Sequence, residues 1–205
     1  MNNTYFITGI GTGIGKTIVS AILTQKLASD YWKPIQSGDL EQSDSLSIKD
    51  LISNTKTVIH PEQYRLSQPL SPHLSARLDG IEIKTQDLKL PATKNQLIIE
   101  GAGGLMVPIN EKELILDLIP VLNAKLIIVS QNYLGSINHT LLSLEVLKSR
   151  NIQVQGIIFN GEANKESESY IANYTGIPIL GNIPKLARLD KKSIAEAGKF
   201  IQLSK

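Results

Sequence analysis

The chain has 205 residues, 41% of them hydrophobic and 20% charged, with 21 Lys and Arg against 19 Asp and Glu for a formal net charge of +2. That length supports one well-buried core and is short for two, so a single domain over 1–205 is expected, and the near-neutral charge gives no electrostatic case for nucleic acid. With no cysteine, disulfides, thiolate metal sites and cysteine nucleophiles are excluded; no stretch reaches the ~18 apolar residues of a membrane span, so a cytoplasmic protein with no membrane contact is expected.

The first element is "TYFITG" (4–9), a continuous apolar run that reads as a buried strand. It leads into "GIGTGIGKT" (9–17), which matches neither common nucleotide loop as spelled. G-x-x-x-x-G-K-[ST] requires glycine where Ile10 stands. The dinucleotide pattern G-x-G-x-x-G ends on Ile14 or Lys16, depending on the start. The specific part is Gly15-Lys16-Thr17 at a strand-to-helix junction. There, backbone N–H groups and the helix N-terminus form an anion site. Lys16 can reach the β- and γ-phosphates, and the Thr17 hydroxyl can ligate Mg²⁺. Gly9 is expected to supply the turn one position early.

Val19, Ile22, Leu23 and Leu27 share one face of the helix that follows. "YWKPIQSG" (31–38) reads as a weaker strand, and residues 54–95 as a polar, proline-bearing excursion with short helices. Buried strands follow at 97–103, 125–131, 155–161 and 177–184. Between them Ile137, Leu141, Leu144 and Leu147 mark a helix, and "DKKSIAEAGKFIQ" marks a last one. Strand–helix alternation of this kind predicts an α/β fold, a P-loop NTPase-like parallel β-sheet with helices on both faces.

Open parallel sheets bind ligands at the carboxyl ends of their strands, and candidate residues collect there. Lys33 and Ser37 close the second strand, Glu100 ends "LIIE", and Asn160 ends "IIFN". A carboxylate at the position of Glu100 suits a metal-associated role, since an apolar run followed by Gly-Ala-Gly-Gly gives it no structural partner. Asp44 reads as a site carboxylate or as a helix N-cap, and Asn160 before Gly161 as a site residue or a turn. His60, His73 and His139 do not cluster and read as local hydrogen-bonding residues, the last two near a substrate. "NKES" (164–167) imitates a guanine-specifying motif but ends in Ser167, without the carboxylate that would bind the guanine edge.

In chain order, "YFITGIGTGIGKT", "WKPIQSG", "SDSL", "LSPHLSA", "IIEGAGGLMVPI", "NYLGSINHTLLS", "GIIFN" and "LGNIP" resemble the dethiobiotin synthetase family over nearly the whole chain. Its loop, usually spelled G-T-x-T-x-x-G-K-T, accounts for Gly9, Thr12 and Ile10. The resemblance implies ATP as co-substrate and Mg²⁺ as cofactor. The phosphates would be held by Gly13, Ile14, Gly15, Lys16 and Thr17, with Thr17, Asp44 and Glu100 around the metal. Lys33, Lys16 and Thr12 would be catalytic, and Glu100, Gly101, Ala102 and Gly103 would line the cleft. Asn160 and Gly161, with Asn182, Ile183 and Pro184, would hold the adenine. Thr12, Ser37 and the helix start Gly135, Ser136, Ile137 and Asn138 would bind 7,8-diaminopelargonate, its carboxylate tail crossing a homodimer interface. Three features depart from the family pattern: glycines at 11 and 13 where polar residues are common, a shorter connection before Lys33, and Gly161 where an acidic residue is common.

The implied reaction joins the diamine, CO₂ and ATP into dethiobiotin through a carbamate and a carbamic–phosphoric anhydride. A ParA- or MinD-like switch ATPase acting through protein partners is the alternative. Its additional signature lysine has no counterpart in residues 9–12, which are Gly-Ile-Gly-Thr.

Overall fold

The computed structural model describes residues 4–203. β1 (Thr4–Gly9) and α1 (Lys16–Leu27) come first, followed by β2 (Asp30–Trp32), β3 (Ile35–Ser37) and α2 (Asp44–Leu51). β4 (Ile59–His60), β5 (Tyr64–Leu66) and α3 (Pro72–Leu78) precede the long β6 (Leu97–Gly104). The remainder alternates: α4 (Leu118–Val121), β7 (Lys125–Ser130), α5 (Ser136–Ser149), β8 (Val154–Asn160), α6 (Lys165–Thr175), β9 (Ile179–Ile183) and α7 (Lys191–Ala197).

Seven strands form one parallel sheet in the order β4-β2-β6-β1-β7-β8-β9. Successive residues of the central strands feed two different cores. Phe6, Ile99, Leu126 and Ile128 pack into one, with Leu118 of α4, Leu144 and Leu147 of α5 and Ile171 of α6. Tyr5, Ile7, Ile98, Ile127 and Val129 pack into the other, with Val19, Ile22 and Leu23 of α1, Ile48 of α2 and Ile194 of α7. Both pleat faces are therefore covered, which is why these strands read as unbroken apolar runs. Among the described residues, no helix is long and apolar enough to cross a membrane.

Three sequence expectations change in detail. The strand expected over 31–38 is two strands, because Pro34 has no N–H to donate to a ladder. β2 stays in the main sheet. The Pro34 carbonyl instead accepts from the Gln63 and Tyr64 N–H groups at 3.1 and 2.9 Å, and β3 pairs with β5 in a separate two-stranded sheet. Residues 54–95 contain α3, as the short-helix expectation has it, but also β4 and β5, which are too short to show a period. The last helix stops at Ala197, and Ile201 returns as an antiparallel bridge to Gly181.

Candidate active site

The carboxyl ends of β1, β2, β6, β7 and β8 converge on the loop between β1 and α1. Ile10 is not yet part of the turn: its N–H donates to the Val129 carbonyl at 3.1 Å, continuing the β1–β7 ladder. An apolar, half-buried side chain suits that place. Gly9 does not supply the turn either, because the loop's positive φ angles belong to Gly13 (75°) and Gly15 (89°). Gly9 is required instead by close approach, since a Cβ there would overlap the buried side chain of Ile14. Gly15 caps α1 in the left-handed region, and its neighbour is the Asn160 amide, which donates to the Ile14 carbonyl at 3.1 Å. The loop backbone is thus held from the end of β8.

Five functional groups meet behind the loop, those of Thr17, Tyr31, Lys33, Asp44 and Glu100. The Thr17 hydroxyl oxygen lies 2.9 Å from Asp44 Oδ1 and 2.9 Å from Glu100 Oε1. Its single proton serves one carboxylate at a time. The Lys33 ammonium pairs with Asp44 Oδ2 and lies 3.5 Å from Glu100 Oε1. The Tyr31 hydroxyl donates to Glu100 Oε2 at 2.9 Å. Glu100, Lys33 and Tyr31 are all buried. Asp44 takes the first position of α2, and the N-cap is Ser43, whose hydroxyl accepts from the Leu46 N–H. The N-cap alternative for Asp44 is therefore replaced by a carboxylate turned into the site.

Burial alone would lower the Lys33 pKa, but Glu100 and Asp44 outweigh it and hold the ammonium above the ordinary lysine value. Lys16 ends in the opposite state. Its burial dominates and, with Lys33 close by, brings it down to about 8 against the pull of Glu100 and Asp44. Its Nζ donates to the Gly11 carbonyl at 2.9 Å. Burial, and then the charges of Glu100 and Asp44, push the Tyr31 phenol well above its usual range, so it stays a donor.

The other expected residues fall into three groups around this centre. Thr12 is exposed on the loop beside Gly103, whose φ is 65°. Gly101 packs on the Phe6 ring, Ala102 lies half-buried against the same core, and the buried Ser37 hydroxyl at the end of β3 has no hydrogen-bond partner. Gly135 (φ 100°) caps α5, and Gly135, Ser136 and Ile137 line a cavity of about 450 Å³, with Asn138 exposed on the next turn. A second cavity, of about 390 Å³, opens beside Ile18 of α1 and is lined by Gln131, Asn132, Asn160, Gly161 and Lys185. Asn182, Ile183 and Pro184 are not on its wall. Ile183 is buried and its carbonyl accepts from the Gly161 N–H at 2.8 Å, while the Asn182 amide is turned to Glu168 at 2.7 Å.

Each histidine has a local partner: His60 with Asp30, His73 with Ser71 and His139 with Tyr133. "NKES" is a helix start, with Asn164 capping α6 by accepting from the Ser167 N–H at 3.0 Å. Tyr31, Gln131, Asn132 and Glu168 were not singled out from the sequence. A tyrosine in a buried strand reads as packing, and a glutamate in "KESESY" reads as surface.

The AAA domain family matches residues 3–193. A protein of Christiangramia forsetii named ATP-dependent dethiobiotin synthetase BioD is 50% identical over 201 residues, 98% of this chain and 97% of that one. A protein of the same name from Cytophaga hutchinsonii is 50% identical over 191 residues, 93% of this chain and 92% of its own. Among solved structures, the septum site-determining protein MinD complexed with Mg-ADP from Pyrococcus horikoshii superposes with a TM-score of 0.59. It covers 96% of this chain and 86% of the other at 16% identity, a likeness of fold.

Proposed function

The chain belongs to the ATP-dependent dethiobiotin synthetase family, whose members are ligases, and on that premise we propose that it closes 7,8-diaminopelargonate and CO₂ into dethiobiotin with ATP as co-substrate. The observation that carries this reading is the meeting of Thr17, Lys33, Asp44 and Glu100 directly behind a phosphate loop. We read the chain as one domain, acting in the cytoplasm as a homodimer.

Thr17, Asp44 and Glu100 offer only oxygen donors, the set a hard divalent cation takes. A hydroxyl between two carboxylates, with one proton for both, fits such a guest, and the choice of Mg²⁺ is in keeping with the Mg-ADP complex of the MinD structure that shares the fold. Mg²⁺ held there would neutralise charge on the phosphate oxygens. The loop N–H groups of residues 13–17 and the Lys16 ammonium would bind the triphosphate. Asn160 and Gly161 would hold the base.

One substrate amine, in its neutral form, attacks CO₂ and loses a proton to give a carbamate. Lys16 and Lys33 favour the neutral amine, since neighbouring cations lower an ammonium pKa, and then hold the carbamate anion, with Thr12 beside it. The carbamate oxygen attacks the γ-phosphorus and releases ADP, forming a carbamic–phosphoric anhydride. Positioning and fixed positive charge supply most of the catalysis of such a transfer. The second amine then attacks the carbonyl and expels phosphate, closing the five-membered urea. Because it is tethered on the adjacent carbon, effective molarities of ~10⁵ M or more are accessible. Ser37 would contact the substrate. Gly135 to Asn138, at the N-terminus of α5, would receive its carboxylate tail across the dimer.

Phosphate release stimulated by diaminopelargonate with bicarbonate tests the reading. Release that ignores both and responds to a protein partner would favour a MinD-like switch.

A further inference from the structure

Lys33 and Asp44 pair in the site from two different segments, joined by a loop that is exposed at Asp39, Glu41 and Gln42. A third segment, the turn over 61–64 between β4 and β5, fixes one to the other. Its backbone is bound on both sides of Lys33. The Trp32 indole N–H donates to the Pro61 carbonyl at 3.1 Å, and the Pro34 carbonyl accepts from the Gln63 and Tyr64 N–H groups. From this turn the Glu62 side chain, only 5% exposed, reaches the start of α2. Its Oε1 accepts from the Ser43 hydroxyl at 2.8 Å, and its Oε2 from Arg65 Nη1 at 2.9 Å. Arg65 also donates to the Leu40 carbonyl of the loop at 3.3 Å.

An ionised carboxylate only accepts. The one Ser43 proton therefore goes to Glu62, and a lone pair of its Oγ is left for the Leu46 N–H, 3.4 Å away. Ser43 is buried, and it caps α2 with its hydroxyl anchored to the turn. Asp44 is the next residue and the first of the helix. An aspartate side chain is short, so the place of its carboxylate follows closely from the place of its backbone. From there Asp44 meets the Thr17 hydroxyl at 2.9 Å and the Lys33 ammonium.

We propose that Glu62 is a positioning residue for the metal site: it locks the N-cap of α2 to the turn that brackets Lys33, and so sets Asp44 beside Thr17. The proposal rests on reading Thr17, Asp44 and Glu100 as the Mg²⁺ site of the function proposed above.

Calorimetric binding of ADP to the full-length protein, in EDTA and across a Mg²⁺ titration, separates the metal from the nucleotide and requires no turnover. In Glu62→Ala the Mg²⁺ concentration that half-saturates the ADP complex should rise ~10-fold, the scale of losing a group that orients a metal ligand. ADP affinity in EDTA should stay within about twofold, because the loop N–H groups that hold its phosphates are untouched. Ser43→Ala removes the other partner of the same hydrogen bond and should raise the Mg²⁺ requirement comparably, which keeps the test open if Glu62→Ala does not fold. The double variant should go no further than the larger single effect, since both act through one contact. An unchanged Mg²⁺ requirement in a folded Glu62→Ala would overturn the proposal, as would additive effects in the double variant. Equal losses of ADP affinity with and without the metal would also overturn it, since they mark a general loosening of the fold. A wild type whose ADP affinity ignores Mg²⁺ would instead sink the reading of the metal site.

Discussion

Tyr31 lies two residues before Lys33, and its hydroxyl fixes one oxygen of Glu100 so that the other faces Thr17 and Lys33. Tyr31→Phe removes that donor and leaves a buried carboxylate oxygen unsatisfied, at a cost of roughly 1–3 kcal/mol. The Mg²⁺ concentration for half-maximal activity should rise about tenfold, and an unchanged Mg²⁺ titration would contradict the role given to Tyr31. Lys33→Ala should reduce dethiobiotin formation by ~10³-fold, on the scale of removing one strong charge stabiliser. It also strips the counter-charge from Asp44 and Glu100. The variant's melting temperature should therefore rise more on adding Mg²⁺ than that of the wild type, which thermal unfolding with and without the metal measures. Lys33 and Glu100 were legible in the sequence because a charge at the end of an apolar run has few structural uses, whereas Asp44 in "QSDSL" read equally as a helix N-cap. Tyr31 was not, because its partner Glu100 comes from a strand 69 residues away in the chain.

The phosphate loop is the element where spelling and structure differ most instructively. Its odd glycine spacing had suggested a turn begun early at Gly9, whereas Gly9 is set by contact with Ile14, and the turn belongs to Gly13 and Gly15. Sequence spacing reveals that a glycine is needed but not whether φ or close approach demands it. At Gly15 both apply: the φ is 89°, and a Cβ would overlap the Asn160 amide. Gly15→Ala should weaken ATP binding ~10²-fold by calorimetry. Adding Asn160→Ala should recover only the share due to overlap, since left-handed backbone still costs about 1–2 kcal/mol for a residue with a Cβ. Full recovery in the double variant would show that strain at Gly15 does not matter. The division of 31–38 between two sheets was equally unreadable by pattern, although Pro34 marked the place. β4 and β5, at two and three residues, are too short for any periodicity to register.

Across the whole molecule, continuous apolar runs made the parallel sheet and its two covered faces legible. Its strand order depends on crossovers that no local pattern encodes. The end of the sheet remote from the phosphate loop is joined by Asp30, which accepts from the Val58 N–H, Thr93 and Asn95 and contacts His60. Burial would raise this carboxyl, but those hydrogen bonds outweigh it and hold its pKa below the ordinary value. A depressed carboxylate adds stability that is complete above the unfolded pKa of about 3.9 and disappears as pH falls through the folded value. Asp30→Asn should cost about 2 kcal/mol at pH 7. Its gap from the wild type in urea midpoint should narrow at pH 3, and a constant gap would contradict this assignment. Incubation of the protein with Mg²⁺, ATP, diaminopelargonate and ¹³C-bicarbonate, with the products followed by mass, tests the proposed ring closure. Dethiobiotin carrying the label in its ureido carbonyl should form in step with ADP; ADP without labelled dethiobiotin would contradict the proposed reaction.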